Sequence, residues 1–158
     1  MDKNIFLEKI IIHPTNVEWA IIVMGYSYVP FSDCGLDAYY LASNKFYALQ
    51  VQRQNTLRQK GAFAQIINDM SLRELAIKSG LVSILGINQM VMRDDCGSYL
   101  ILGAIQTDDR DTVKHANGHY ITRIDKCIDC KKCVKYCPTG ALGNNGEFDS
   151  KKCLRSFQ

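Results

Sequence analysis

Blocks of apolar residues, separated by short polar stretches, mark out most elements of this chain. Trp19 to Val29 (WAIIVMGYSYV) is apolar and β-branched with no regular polar alternation, and Pro30 stops it. That pattern predicts a buried strand. Leu36 to Lys60 is rich in Ala, Leu, Gln, Lys and Arg and lacks Gly and Pro, so it predicts a long helix ended by Gly61. Ser71 to Gly80 (SLRELAIKSG) predicts a second helix. Ser71 and Glu74 form a capping-box pair at its start, Leu72, Leu75 and Ala76 line one face, and Gly80 suits the left-handed residue at its end. Leu81 to Met92 and Ser98 to Thr107 are apolar and flank Arg93-Asp94-Asp95-Cys96-Gly97, which predicts two strands joined as a hairpin. Asn4 to His13 reads as a short helix ending near Pro14, and Ser32 to Gly35 as a turn.

Asp108 to Asn117 is polar and reads as a surface linker, after which the composition changes. The boundary is placed near Thr122. Residues 1–121 are expected to form an α+β domain that mixes strand and helix, and residues 122–158 a small cysteine module.

The totals alter this picture only in part. Hydrophobic residues make up 47% and charged residues 22% of the 158, as in an ordinary globular protein. The best apolar run, Trp19 to Met24, is far too short to span a membrane. The N-terminus lacks the basic and apolar regions of a signal peptide, so a cytoplasmic location and no membrane partner are expected. The net charge is +3, unevenly spread: from Arg123 onward eight Lys/Arg face four Asp/Glu, and the remainder holds eleven against twelve. A basic tail suits nucleic acid or a membrane surface. Here it also suits lysines that offset an anionic thiolate centre.

Cysteine placement carries the chemistry. Five of the seven cysteines, Cys127, Cys130, Cys133, Cys137 and Cys153, fall in the last 32 residues. An odd count, tight clustering and no signal peptide argue for metal ligation rather than disulfides. Cys127 to Pro138 reads C-x2-C-x2-C-x3-C-P. Three thiolates at this spacing wrap one [4Fe–4S] cubane on a loop, whose N–H groups hydrogen-bond the sulfides. The fourth cysteine, on the helix that follows, ligates the other cluster in two-cluster proteins. Zinc sites instead set two well-separated C-x2-C pairs around a tetrahedron.

One cubane needs four ligands and two need eight, but this module offers five. Three outcomes stay open: a fragment of a longer two-cluster protein, a single cluster completed by Cys137 or Cys153, or ligands from a partner chain. The first is preferred, because Ser150 to Leu154 looks like a helix start that stops short. Cys34 and Cys96 read as small, partly buried residues in turns. His13, His115 and His119 stand alone and read as surface or capping residues rather than ligands. Tyr26, Tyr28, Tyr39, Tyr40 and Tyr47 read as core and helix-packing residues, and Tyr136 as cover for the cluster.

Taken together, Leu75 to Leu81, Gly86-Ile87-Asn88, Gly97 to Asp108 and the cysteine run resemble the epoxyqueuosine reductase family, and especially its relatives with a double-cluster ferredoxin domain. The resemblance covers roughly residues 20–158, and is strong from about residue 72. It implies a nitroreductase-like α+β domain followed by a bacterial-ferredoxin-type module with one or two [4Fe–4S] clusters. In that family the clusters feed electrons to a cobalamin, which reduces an epoxide on a tRNA base. Val82 replaces a family glycine, Ile87 replaces a basic residue, and Asp69 is three residues out of register with the proton-donor segment, Asp-x-Ala-Pro. No catalytic residue is therefore carried over.

The leading expectation is an electron carrier serving a redox partner protein. Two alternatives accompany it. One is a corrinoid-dependent reductase of a modified nucleoside or organohalide, with tRNA as partner only if the epoxyqueuosine reductase activity is retained. The other is a metal-free or partner-completed interaction fragment.

Overall fold

A computed structural model describes residues 4–12, 19–31, 35–109 and 125–157. Its first element differs from the sequence expectation: Phe6–Ile12 is a strand, β1, and not a helix. Pairing along the whole of the next strand decides the conformation. β2 (Ala20–Ser27) runs antiparallel to β1 from Phe6↔Tyr26 to Ile12↔Ala20. Ser27 ties down the incoming chain, its hydroxyl accepting from the Ile5 N–H at 2.7 Å.

α1 (Ala38–Gln59) follows the helix expected from Leu36, with the Asp37 carboxylate accepting from the Tyr40 N–H at 3.0 Å. β3 (Ala64–Ile66) and α2 (Leu72–Lys78) come next. The Ser71 hydroxyl caps α2 by accepting from the Glu74 N–H at 3.4 Å, and Gly80 turns the chain out at φ 69°.

The expected long hairpin over residues 81–107 does not form as one ladder. The 93–97 turn does close, with an Arg93↔Gly97 bridge, but the flanking segments then part. Val91–Met92 (β5) folds back on Ile84–Leu85 (β4), because Gly86, Asn88 and the left-handed Gln89 make a tight turn between them. Leu100–Thr107 (β6) enters the main sheet instead, giving the order β1-β2-β6-β3 with every pair antiparallel.

The unbroken apolar run of β2 now has its reason. Alternate side chains point to opposite faces, and both faces are covered. Ile22, Met24 and Tyr26 pack with Ala42, Phe46 and Leu57 of α1, while Ile21 and Val23 pack with Leu75 and Ala76 of α2 and with Leu81 and Val82. Each fully buried aliphatic side chain contributes roughly 1.5–3 kcal/mol. Gly103 on β6 lets α1 lie close: a Cβ there would run into the Gln50 amide and come within 2.9 Å of Phe46 Cε1. Mixed α/β architecture is thus as expected. The linker beyond Asp109, the boundary near Thr122, Cys34 and all three histidines lie outside the described residues.

The tyrosines divide. Tyr26 is a core residue, and Tyr28 makes edge-on contacts with Tyr39 and Tyr99. Tyr39 is half-exposed but keeps its packing role through its contact with Tyr28, whereas Tyr40 and Tyr47 are exposed on the solvent side of α1, contrary to the packing role read from sequence.

Candidate metal centre

The cysteine module is built from short pieces. α3 (Asp125–Cys130) carries Cys127 and Cys130. Their three-residue spacing sets them on one helical face. Lys131 then takes a left-handed conformation at φ 44° and breaks the helix. α4 (Lys132–Lys135) restarts with Cys133, and Cys137 follows just past its end. The sequence reading put the first three cysteines on a loop and the fourth on a helix. The structure sets two short helices about a kink, with the fourth cysteine in the turn after them.

Beyond Pro138 the chain forms a small hairpin. Leu142 bridges Phe148, the Gly143 N–H donates to the Glu147 carbonyl at 2.8 Å, and the Asp149 N–H donates to the Ala141 carbonyl at 2.9 Å. Ala141 and Gly146 are buried within it. Gly143-Asn-Asn-Gly146 is a turn signal that sequence reading left unused. Asp149 closes the hairpin and caps a 3-10 turn, Ser150–Lys152, that leads to Cys153. The short helix start expected there takes this 3-10 form. A second 3-10 turn follows over Leu154–Phe157.

All five module thiols are free of disulfides, with Cys130 exposed and the others half-buried. Among the described residues, no three His, Cys, Asp or Glu side chains converge to hold a metal ion. A cubane spreads its cysteine ligands over separate irons, so its thiolates do not need to converge on a single ion.

The chemistry of the donor set fits an iron–sulfur cluster. Thiolates are the soft ligands that such clusters take. The backbone N–H groups of Leu142, Thr139 and Ala141 face the Cys137 sulfur, Leu142 contributing most, and hold this thiol below the usual range. The Thr139 hydroxyl lies 3.9 Å from the same sulfur. Around the thiols, Lys132, Lys135, Lys151 and Arg155 are exposed, and Lys152 pairs with Asp149 at 3.5 Å. Tyr136 is 76% exposed, with the Lys135 ammonium 5.9 Å from its ring centroid, so its ring does not cover the thiols.

Cys96 behaves as sequence reading expected of a small half-buried residue. Burial, followed by the Asp95 charge, pushes its thiol up to about 11. Sequence reading missed Gln89, whose side-chain amide donates to the Gly146 carbonyl at 3.1 Å and ties the module to the α/β part. A lone Gln carries no motif that could have signalled this.

Residues 121–143 match the family model of the 4Fe-4S binding domain. An epoxyqueuosine reductase of Bacillus anthracis is 35% identical over 86 residues, covering 54% of this chain and 21% of that protein. The pyruvate synthase subunit PorD of Methanothermobacter marburgensis is 35% identical over 57 residues, covering 33% of this chain and 70% of that subunit. Among solved structures, an epoxyqueuosine reductase with an epoxyqueuosine-modified tRNA-Tyr stem loop superposes with a TM-score of 0.59 at 20% identity. That match covers 85% of this chain and 39% of the other, and shows a shared fold. The matched region thus spans about a fifth of the length of the reductase relatives.

Proposed function

We propose that this chain, which resembles the epoxyqueuosine reductases over about half its length, passes single electrons through a [4Fe–4S] cluster held by its C-terminal module. The observation that carries this reading is the unbroken Cys127, Cys130, Cys133, Cys137-Pro138 run inside a matched 4Fe–4S binding domain. Cys127, Cys130 and Cys133 would hold one cluster, with a fourth ligand from Cys153, from Cys137 or from a partner chain. Cys137 and Cys153 would otherwise begin a second cluster. When bound, such a cluster supplies one-electron exchange.

The chain's own residues prepare that site. The N–H groups of Leu142, Thr139 and Ala141 favour the Cys137 thiolate and so ready it as a ligand. The exposed lysines of α4 and of the Ser150–Lys152 turn offset the negative charge that several thiolates bring together. Part of this reading is the division into a nitroreductase-like α+β domain, 1–121, and a ferredoxin-type module, 122–158. A redox partner protein in the cytoplasm supplies or takes the electrons. No helix among the described residues is long and apolar enough to cross a membrane. tRNA is a partner only if the chain retains the epoxyqueuosine reductase activity, for which the relative bound to a tRNA stem loop is the precedent. The unrecognisable Asp-x-Ala-Pro segment speaks against that activity, and cobalamin plays no part in the reading.

Anaerobic expression, reconstitution with iron and sulfide, metal analysis and EPR of the reduced protein test the proposal. The expected result is bound iron with a reducible cluster signal. Zinc alone, or no metal after reconstitution, would remove it.

A further inference from the structure

Two left-handed turns meet where the α/β part touches the cysteine module. Gln89 closes the β4–β5 turn at φ 64°, its N–H donating to the Gly86 carbonyl at 2.9 Å. A side chain in this conformation costs about 1–2 kcal/mol, and glycine would avoid that cost. The side chain at this position is nevertheless engaged. Its amide donates to the Gly146 carbonyl at 3.1 Å, across 57 residues of sequence. The Gln89 carbonyl accepts in turn from Arg73 of α2 at 3.3 Å.

Gly146, at φ 83° and buried, sits in the turn of the 141–149 hairpin. The two legs of that hairpin lead to two thiols. One leg starts at Ala141 and Leu142, whose N–H groups face the Cys137 sulfur. The other ends at Asp149, which caps the turn before Cys153. The Arg73–Gln89–Gly146 contacts thus reach the turn of a hairpin whose two legs continue along the backbone to Cys137 and Cys153.

We propose that Gln89 is a positioning residue: its amide seats the 141–149 hairpin on the α/β domain and so fixes where Cys137 and Cys153 stand relative to that domain. The purpose of this latch rests on the iron–sulfur reading, while its geometry does not. Its effect is to hold a bound cluster at one distance and orientation from the sheet.

The test uses the full chain with two substitutions. Gln89→Glu keeps the length but cannot donate to a carbonyl at neutral pH. Gln89→Gly relieves the left-handed backbone but loses the side chain. Hydrogen exchange is followed across 142–148 and across β2 and β6, first without metal. In both variants, exchange over 142–148 is expected to rise roughly two- to tenfold, the loss of one net hydrogen bond, with β2 and β6 unchanged. In reconstituted protein, chelator-driven iron release from Gln89→Glu is expected to quicken by a similar factor. Unchanged exchange in both variants overturns the inference. So does a rise in Gln89→Gly alone, which would locate the effect in the backbone, or an equal rise in β2 and β6. Failure of the native chain to bind iron would sink the proposed function and leave the exchange result standing.

Discussion

Gly103→Ala probes how tightly α1 is seated on the sheet. Gly103 lies on β6 opposite Met24 of β2, under Phe46 and Gln50 of α1. An added methyl would run into the Gln50 amide nitrogen and lie 2.7 Å from Gln50 Cδ and 2.9 Å from Phe46 Cε1. Ordinary carbon contacts sit at about 3.5–4.0 Å. Gln50 and Phe46 are both buried, so neither can swing into solvent without leaving the core. Overpacking of this kind costs about 1–3 kcal/mol. Replacing glycine in a strand returns up to about 1 kcal/mol through reduced chain entropy. The net is a loss of roughly 1–2 kcal/mol, or a Tm lower by about 2–8 °C for a chain of this size. Far-UV circular dichroism melts of native and variant chains measure it. Adding Gln50→Ala to Gly103→Ala should recover part of the loss, since the Phe46 contact alone remains. A Tm that holds or rises in Gly103→Ala, or simple additivity of the two changes, would refute close packing of α1 at Gly103.

Three further outcomes follow from the site and its surroundings. Cys133→Ser should lower reconstituted iron to near background while Cys96→Ser leaves it at the native level, and equal iron in both would contradict the ligand assignment. Ser71→Ala removes the α2 cap, whose bond is long at 3.4 Å, and should cost about 0.5–1 kcal/mol in urea melts, with Ser71→Asp close to native. Cys96, raised to about 11, should be alkylated by iodoacetamide at neutral pH far more slowly than the exposed Cys130 in the metal-free chain. The same shift sets a pH dependence. The folded thiol holds its proton more tightly than the unfolded one, so its contribution is complete below the ordinary thiol pKa and fades as pH rises from about 9 toward 11. Chemical denaturation of Cys96→Ser should show less alkaline loss than the native chain, and identical slopes would count against the burial of this thiol.

Local signals in the sequence determined much of this protein. The Ser71 cap, the Gly-free stretch before Gly61 and the apolar block from Trp19 each depend on neighbours within a few residues, and α2, α1 and β2 formed where these signals put them. The order and spacing of Cys127, Cys130, Cys133 and Cys137 is likewise a property of the linear chain, and it names the chemistry. Only the tertiary structure decided what depends on distant partners. β1 is a strand because β2 offers it a full edge of unpaired N–H and C=O groups, a partnership that the Phe6–Ile12 sequence does not announce. β6 left its neighbour across the 93–97 turn for β2 and β3, because burial on both faces of the main sheet outweighs a local two-stranded pairing. Gln89 meets Gly146 only after both turns have formed, and a bond spanning 57 residues leaves no trace in local composition.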